Sequence, residues 1–218
     1  MKLKQSILAC MTVAVVFGGL VASVKADDIY NPPWQRGSAG TTWEGWTFTT
    51  GDLTSTPDEG YFNPNGTPSA TINAGTSQWN QYYHNHIGGW TLGAGNNISF
   101  DIPNTPYDPL SDKYVWTQIT WQSDNNGVPV VTVAGNLSIL VSSQPQPNGW
   151  VTGLYETVLP YNPSSEGMVI SGSLPGTTFD LGEVFIDTQC IPEPSSLALL
   201  AVGAGSLLVA SRKRRLAA

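Results

Sequence analysis

The chain has 218 residues, 40% of them hydrophobic, with 9 Lys and Arg against 16 Asp and Glu. Only Arg36 and Lys113 among the bases fall between residues 27 and 190, whereas every acid except Glu193 does, so this stretch sets fifteen acids against two bases. A surface of that sign repels phosphate backbones and anionic lipid, which argues against nucleic acid as a partner and admits acidic polysaccharide only through a bridging divalent cation.

Lys2 and Lys4 precede an apolar run from Ile7 to Val21, and Val24-Lys25-Ala26 ends on a small residue. This is the pattern of a secretory signal peptide over residues 1–26, cut between Ala26 and Asp27. Cys10 sits inside the apolar run, which continues well past it, so it does not read as a lipidated cysteine. Removal of the signal leaves Cys190 as the lone cysteine, and no intramolecular disulfide can form. Cys190 reads either as a small half-buried residue ending the last strand or as a free thiol that pairs with another molecule.

Residues 27–190 are enough for one domain with a real core. No segment keeps a 3.6-residue period, and Gly, Pro, Asn, Thr and Ser interrupt the Trp-, Tyr- and Val-rich runs every few residues, which predicts an all-β domain of about ten short strands. Thr41 to Thr49 is the first strand, with Trp46 and Phe48 on one face and Trp43 on the other. Gly51 to Thr67 reads as a long surface loop, Pro68 to Asn73 as a short strand, and Ser77 to His84 as a strand with two mixed faces. Trp90 to Leu92 follows a Gly-Gly break, and Asn97 to Ile102 alternates with Ile98, Phe100 and Ile102 inward. Lys113 to Ser123 is the longest strand, with Val115, Thr117, Ile119 and Trp121 on its core face. Asp124-Asn125-Asn126-Gly127 makes a hairpin turn, because Asn and Gly tolerate positive φ. Val128 to Ala134, Leu137 to Ser142, Trp150 to Leu159, Gly167 to Leu174 and Phe179 to Thr188 complete the set. The spacing suits a single β-sandwich, jelly-roll-like in the preferred topology, with a β-barrel as the alternative.

Four groups of residues carry candidate chemistry. Tyr114, Trp116, Gln118 and Gln122 share the strand face opposite the core, and flat rings beside amides suit the C–H faces and hydroxyls of pyranose sugars, although sandwiches also bury Trp for packing. His84 and His86, two apart, have the spacing to share a metal, but no cysteine or carboxylate lies near in sequence, and two exposed polar residues at a strand end is the plainer reading, so no metal site is assigned. Asp52, Asp58 and Glu59 offer oxygens to calcium in a Gly/Pro-rich loop, without EF-hand spacing. Paired carboxylates would serve a hydrolase, but there is no G-x-S-x-G, H-E-x-x-H, P-loop or G-x-G-x-x-G motif, so the domain reads as non-enzymatic, with a cryptic hydrolase as the third reading.

The last stretch, residues 191–218, has three parts. Pro192-Glu193-Pro194 cannot be helical, because proline fixes φ and lacks an N–H. Ser195 and Ser196 supply N-caps for a helix over Leu197 to Ala210. Arg212, Lys213, Arg214 and Arg215 close the run. Ser195 to Ser211 carry no charge and would make about 25 Å of helix at ~1.5 Å per residue, a short span against a hydrocarbon core of ~30 Å. The basic cluster would stay cytoplasmic, placing the tripeptide at the outer edge of the inner membrane.

These features in this order resemble the PEP-CTERM sorting signal of Gram-negative bacteria. The resemblance implies recognition by an exosortase, a membrane-embedded transpeptidase-like cysteine enzyme, transient inner-membrane anchoring, cleavage near the tripeptide, and delivery of the body to the cell surface or extracellular matrix. It covers the tail alone. Similar small β-sandwich bodies are common among such proteins. A structural or adhesive role is the first functional reading, and binding of extracellular polysaccharide is the second. Replacing Pro192-Glu193-Pro194 with three alanines is expected to leave the body retained in the inner membrane, read by immunoblot of cell fractions; normal release of the altered protein would remove the tripeptide as the recognition element.

Overall fold

The computed structural model describes residues 28–73, 75–123, 127–172 and 178–192. The signal segment, the cleavage pair Ala26 and Asp27, the turn residues Asp124 to Asn126, and the tail from Glu193 onward, with its predicted helix, lie outside them.

The strands in chain order are β1 (Thr41–Trp46), β2 (Thr54–Ser55), β3 (Gly60–Phe62), β4 (Ser69–Ile72), β5 (Gln78–Trp79), β6 (Tyr82–Tyr83), β7 (His86–Ile87), β8 (Trp90–Leu92), β9 (Asn97–Pro103), β10 (Ser111–Gln122), β11 (Val130–Val133), β12 (Asn136–Leu137), β13 (Ile139–Pro145), β14 (Val151–Leu159), β15 (Ser165–Ser171) and β16 (Phe179–Pro192). They form an eight-stranded sheet ordered β13-β14-β10-β16-β1-β3, with β8 pairing the start of β16 and β5 pairing β8, and a six-stranded sheet ordered β12-β11-β15-β9-β4-β2. The hairpin β6-β7 stands apart. All pairings are antiparallel.

The route explains the two layers. With the short strands β2 to β8 set aside, the chain crosses from β1 to β9, back to β10, across to β11 and β12, back to β13 and β14, across to β15, and returns in β16. The inner set β1-β16-β10-β14 faces β9-β15-β11-β12, the double Greek-key path of a jelly roll. Two separate sheets set the barrel alternative aside.

Period-two patterning decides which side of each strand is buried. In β9, Ile98, Phe100 and Ile102 are buried between partly or fully exposed neighbours. In β10, Val115, Thr117, Ile119 and Trp121 line the core, and a one-residue slip would turn all four to the outer face. Trp46 of β1 meets Phe100 of β9 edge-on, with ring centroids 4.9 Å apart at 70°, which joins the two sheets at the centre of the sandwich.

Local chemistry shifts several predicted boundaries. The predicted strand Ser77 to His84 is broken at Asn80 and Gln81 into β5, which pairs with β8, and β6, which pairs with β7, and it ends at Tyr83 because His84 and Asn85 take positive φ (47° and 63°) and form the tight turn between β6 and β7. The long loop before β4 contains the short strands β2 and β3, and β3 pairs with β1 through Trp43↔Phe62 and Glu44↔Tyr61. The Pro-rich segment after Ser142 stays extended to Pro145 at the sheet edge, where a missing N–H is tolerated. β16 runs beyond Thr188 to Pro192, the first residue of the tripeptide, held by Asp112↔Ile191 and Ser111↔Pro192.

Phe100→Ala should cost about 3–5 kcal/mol, because the indole of Trp46 and the inner face of β9 lose their common partner. Urea denaturation checks this, and a loss under 1 kcal/mol would show that the Trp46 contact does not join the sheets.

Candidate functional site

The outer face of the larger sheet is the first place to look, because the predicted sugar-facing residues sit there. Tyr114, Trp116, Gln118 and Gln122 all project from the non-core side of β10, but they do not make one open platform. Residues 28–36 lie across the middle of it. Gln118 is only 3% exposed, and its amide pairs with the chain above it: Nε2 donates to the carbonyl of Tyr30 at 2.9 Å and to Asp28 Oδ1 at 2.7 Å, and Oε1 accepts the Tyr30 N–H at 2.8 Å. Trp116 packs edge-on against Trp34 at 5.6 Å. Tyr114, Trp116 and Gln122 stay half-buried, and Gln122 Nε2 reaches the carbonyl of Asn148 at 3.4 Å.

Arg36 holds this leading segment down. Its Nε and Nη2 donate to the two oxygens of Asp187 on β16 at 2.5 and 2.6 Å, while Nη1 and Nη2 bind the two oxygens of Asp28, the latter at 2.9 Å. One planar guanidinium thus forks to two carboxylates, and it also lies 5.7 Å from the ring centre of Trp43. Sequence patterning offered no signal for these contacts, because Asp28 and Asp187 are far apart in the chain.

The other end of the same face is covered by the β6-β7 turn. His86 Nδ1 lies 2.9 Å from the Gly88 carbonyl and Nε2 lies 3.2 Å from Glu183 of β16, and the imidazole stacks on Trp150 at 4.8 Å. His84 is exposed in the turn against Tyr83. The two histidines therefore occupy different settings. Asp58 accepts the backbone N–H groups of Thr47 and Thr49 at 2.6 and 2.8 Å, fixing the chain as it leaves β1, while Asp52 accepts from the Thr50 hydroxyl at 2.8 Å. Among the described residues, no three His, Cys, Asp or Glu side chains gather into a metal-holding group.

One flank of the sandwich is different in character. From Gly127 to Tyr155 there is no charged residue. The segment β12-β13 passes from the edge of the smaller sheet to the edge of the larger, and it presents Leu137 (70% exposed), Ile139 (68%), Leu140 and Val141, next to the exposed Val158 of β14. The register skips Val141, so a bulge interrupts the edge, and Pro145 ends it.

The interior holds a polar cluster at the end of the sandwich where β9 passes to β10. Lys113 of β10 and Glu166 of β15 are both fully buried, with Nζ 2.8 Å from Oε1. Lys113 Nζ also donates to Asn104 Oδ1 at 3.3 Å and to Cys190 Sγ at 3.5 Å. Asn104 Nδ2 donates to the same Glu166 Oε1 at 2.7 Å, to the Pro163 carbonyl at 2.8 Å and to Asn162 Oδ1, which also accepts from Cys190 Sγ at 3.1 Å. Cys190 is thus the half-buried residue at the end of the last strand. Glu44 of β1 is buried nearby and accepts from Asn63 Nδ2 at 3.0 Å. Burial pushes its carboxyl up to about 8, with Glu166 adding to the rise against the pull of Asn63, Thr42 and Lys113. Burial likewise raises Glu166, against the pull of Lys113.

Sequence reasoning missed this cluster, although the signal was present. Lys113 shares the parity of Val115 to Trp121, Glu44 that of Trp46, Glu166 that of Met168 and Ile170, and Asn104 that of Ile98 to Ile102. A charged residue in the core parity of a strand is the pattern that finds such a group.

Comparison with known proteins bears on the two parts of the chain separately. Residues 191–215 match the PEP-CTERM protein-sorting motif, which implies an exported, cell-surface-sorted protein processed by an exosortase. No curated protein matches the chain. Among solved structures it is similar to a family 35 carbohydrate binding module from Clostridium thermocellum (14% identity, TM-score 0.37, covering 54% of this chain and 90% of that one). It is also similar to exo-beta-1,3-galactanase from Phanerochaete chrysosporium with beta-1,3-galactotriose (15% identity, TM-score 0.38, 54% of this chain and 28% of that one). A galactose complex of that enzyme gives 14% identity, a TM-score of 0.35, and 59% and 30% coverage, so this chain spans under a third of the galactanase.

The buried acid makes a signed prediction. Folded Glu44 keeps its proton up to about pH 8, whereas the unfolded side chain releases it near 4.5, so this group makes stability fall as pH rises through that window. Glu44→Gln should flatten the fall and gain up to a few kcal/mol over the native chain on its alkaline side. Urea midpoints measured near the two ends of the window check it, and an unchanged slope would mean that Glu44 is ionised in the fold.

Proposed function

We propose that the chain is a non-enzymatic protein of the cell surface or extracellular matrix, anchored transiently in the inner membrane by its tail, and that after release its sandwich has a structural or adhesive role. The observation that carries this reading is the apolar flank. Acids outnumber bases fifteen to two between residues 27 and 190, so copies of the domain repel each other, and that repulsion is weak along the β12-β13 edge, where apolar side chains are exposed and Glu156 of β14, opposite Ile139, is the acid beside them. The occupant that fits it is the same flank of a second copy, because both partners then present apolar surface. The bulge at Val141 and the terminal Pro145 blunt the edge against open-ended strand addition, so the contact is a limited lateral one. The non-enzymatic reading is supported by the placement of the raised carboxyls: Glu44 and Glu166 are sealed between the sheets, and Asp187 is buried beneath the guanidinium of Arg36, so none is open to a polymeric substrate.

A second reading, binding of extracellular polysaccharide, is supported by the half-buried rings of Tyr114, Trp116 and Trp34 at the border of the leading segment. Glycan arrays with and without calcium, repeated with Trp116→Ala, distinguish it: binding lost in that variant would favour the second reading over the first.

For the first reading, sedimentation velocity of the processed protein should show concentration-dependent association. Leu137→Lys with Ile139→Lys should weaken it by at least about tenfold, some 1.4 kcal/mol. A monomer at every concentration would overturn the adhesive flank.

A further inference from the structure

We propose that Lys113 and Asn104 become joined by an amide bond between their side chains, formed by the chain itself with Glu166 as the proton-transfer group. Three features of the cluster support this beyond a simple ion pair. The reacting groups are adjacent: Lys113 Nζ is 3.3 Å from Asn104 Oδ1, and with a C=O bond of about 1.23 Å the amide carbon lies no more than about 4.5 Å from the nitrogen, one small shift from a near-attack distance. A single carboxylate oxygen bridges donor and leaving group, since Glu166 Oε1 is 2.8 Å from Nζ and 2.7 Å from Asn104 Nδ2. The amine and the acid are dry, with Lys113 and Glu166 fully buried and their register neighbours Leu159 and Ile102 buried as well, while Asn104 is half-buried at the margin, where ammonia can leave.

Burial raises the Glu166 carboxyl, which suits it to take one proton from the ammonium 2.8 Å away, giving a free amine and a neutral acid. Nζ then attacks Cγ of Asn104. The Nζ–Cγ bond forms, the Cγ–Nδ2 bond breaks, and Glu166 carries a proton from Nζ to Nδ2, so that ammonia leaves. The products are a secondary amide, ammonia and a protonated Glu166, and no oxidant, reductant or other reactant is required. Asn104 is held for this by its own network: Nδ2 is fixed by Glu166 and the Pro163 carbonyl, and Oδ1 also accepts the Thr105 N–H at 2.8 Å.

The consequence is a covalent tie between the sheets. Asn104 directly follows β9 of the smaller sheet and Lys113 lies in β10 of the larger, so the bond closes the crossover in a body that cannot form an internal disulfide.

Peptide mapping of the purified full chain tests it. Cleavage before Asp108 and Asp112 should leave the Asn104 and Lys113 peptides as one species, lighter than their sum by one ammonia, and trypsin should fail to cut after Lys113 even in denatured protein. Glu166→Gln should slow joining by about 10²-fold or more. Separate peptides and tryptic cleavage at Lys113 in folded wild-type protein would overturn the proposal, and this holds whether or not the variant folds. Joining at an unchanged rate in E166Q would overturn the part given to Glu166.

Discussion

The two positive side chains of residues 27–190 are both held by acids within the fold, and much of the architecture follows from where they are put. Arg36 bridges Asp28 and Asp187 on the outside of the larger sheet, and Lys113 meets Glu166 between the sheets. Neither pair is a large net source of stability. Desolvation cancels most of the attraction of a buried pair, but removing one partner leaves a stranded charge at about 3–5 kcal/mol. Their effect is on specificity. Arg36 settles which part of the chain covers Gln118, and Lys113 settles which end of β10 faces β15. With both bases engaged, the acids on the exterior have no nearby compensation, and the apolar β12-β13 flank becomes the odd surface of the molecule.

Much of the sandwich was legible because period-two patterning is a local property. Asn97 to Ile102 and Val115 to Trp121 announce their buried faces without reference to any other strand, and both are buried as read. The breaks were harder to see. His84 and Asn85 are ordinary strand-end residues by composition, and only pairing with β7 forces them into positive φ. Tyr114, Trp116, Gln118 and Gln122 do share the non-core face of β10, yet a single strand carries no record of what lies over it. The cover comes from residues 28–36, some ninety positions upstream of Gln118. The interior cluster stood in the pattern but ran against the rule that core positions are apolar, so the charge of Lys113, Glu44 and Glu166 outweighed their strand parity.

β16 links the body to the tail physically as well as in sequence. It lies between β10 and β1 in the larger sheet, and its pairing with β10 persists to Ser111↔Pro192. Its inner side supplies Val184 and Ile186 to the core, while its outer side supplies Glu183 to His86 and Asp187 to Arg36. A pull on the tail would therefore enter along the ladder with β10 and, from Gln189 inward, act on a strand bonded on both sides, where bonds share the load.

The same strand also ties down the leading segment of the described chain. Asp28, the second residue after the predicted signal cut, is fastened to β16 through Arg36 and to β10 through Gln118. At the other end the described part of β16 reaches Pro192, the first residue of the sorting tripeptide, which cannot donate a ladder hydrogen bond. The ladder with β10 therefore runs into the matched sorting motif, which begins at residue 191, so the first two residues of that motif belong to the sheet as well as to the signal. Processing by an exosortase thus acts on a motif that starts inside the folded sheet, and the strand that carries the motif is the one that β1 and β10 hold from either side.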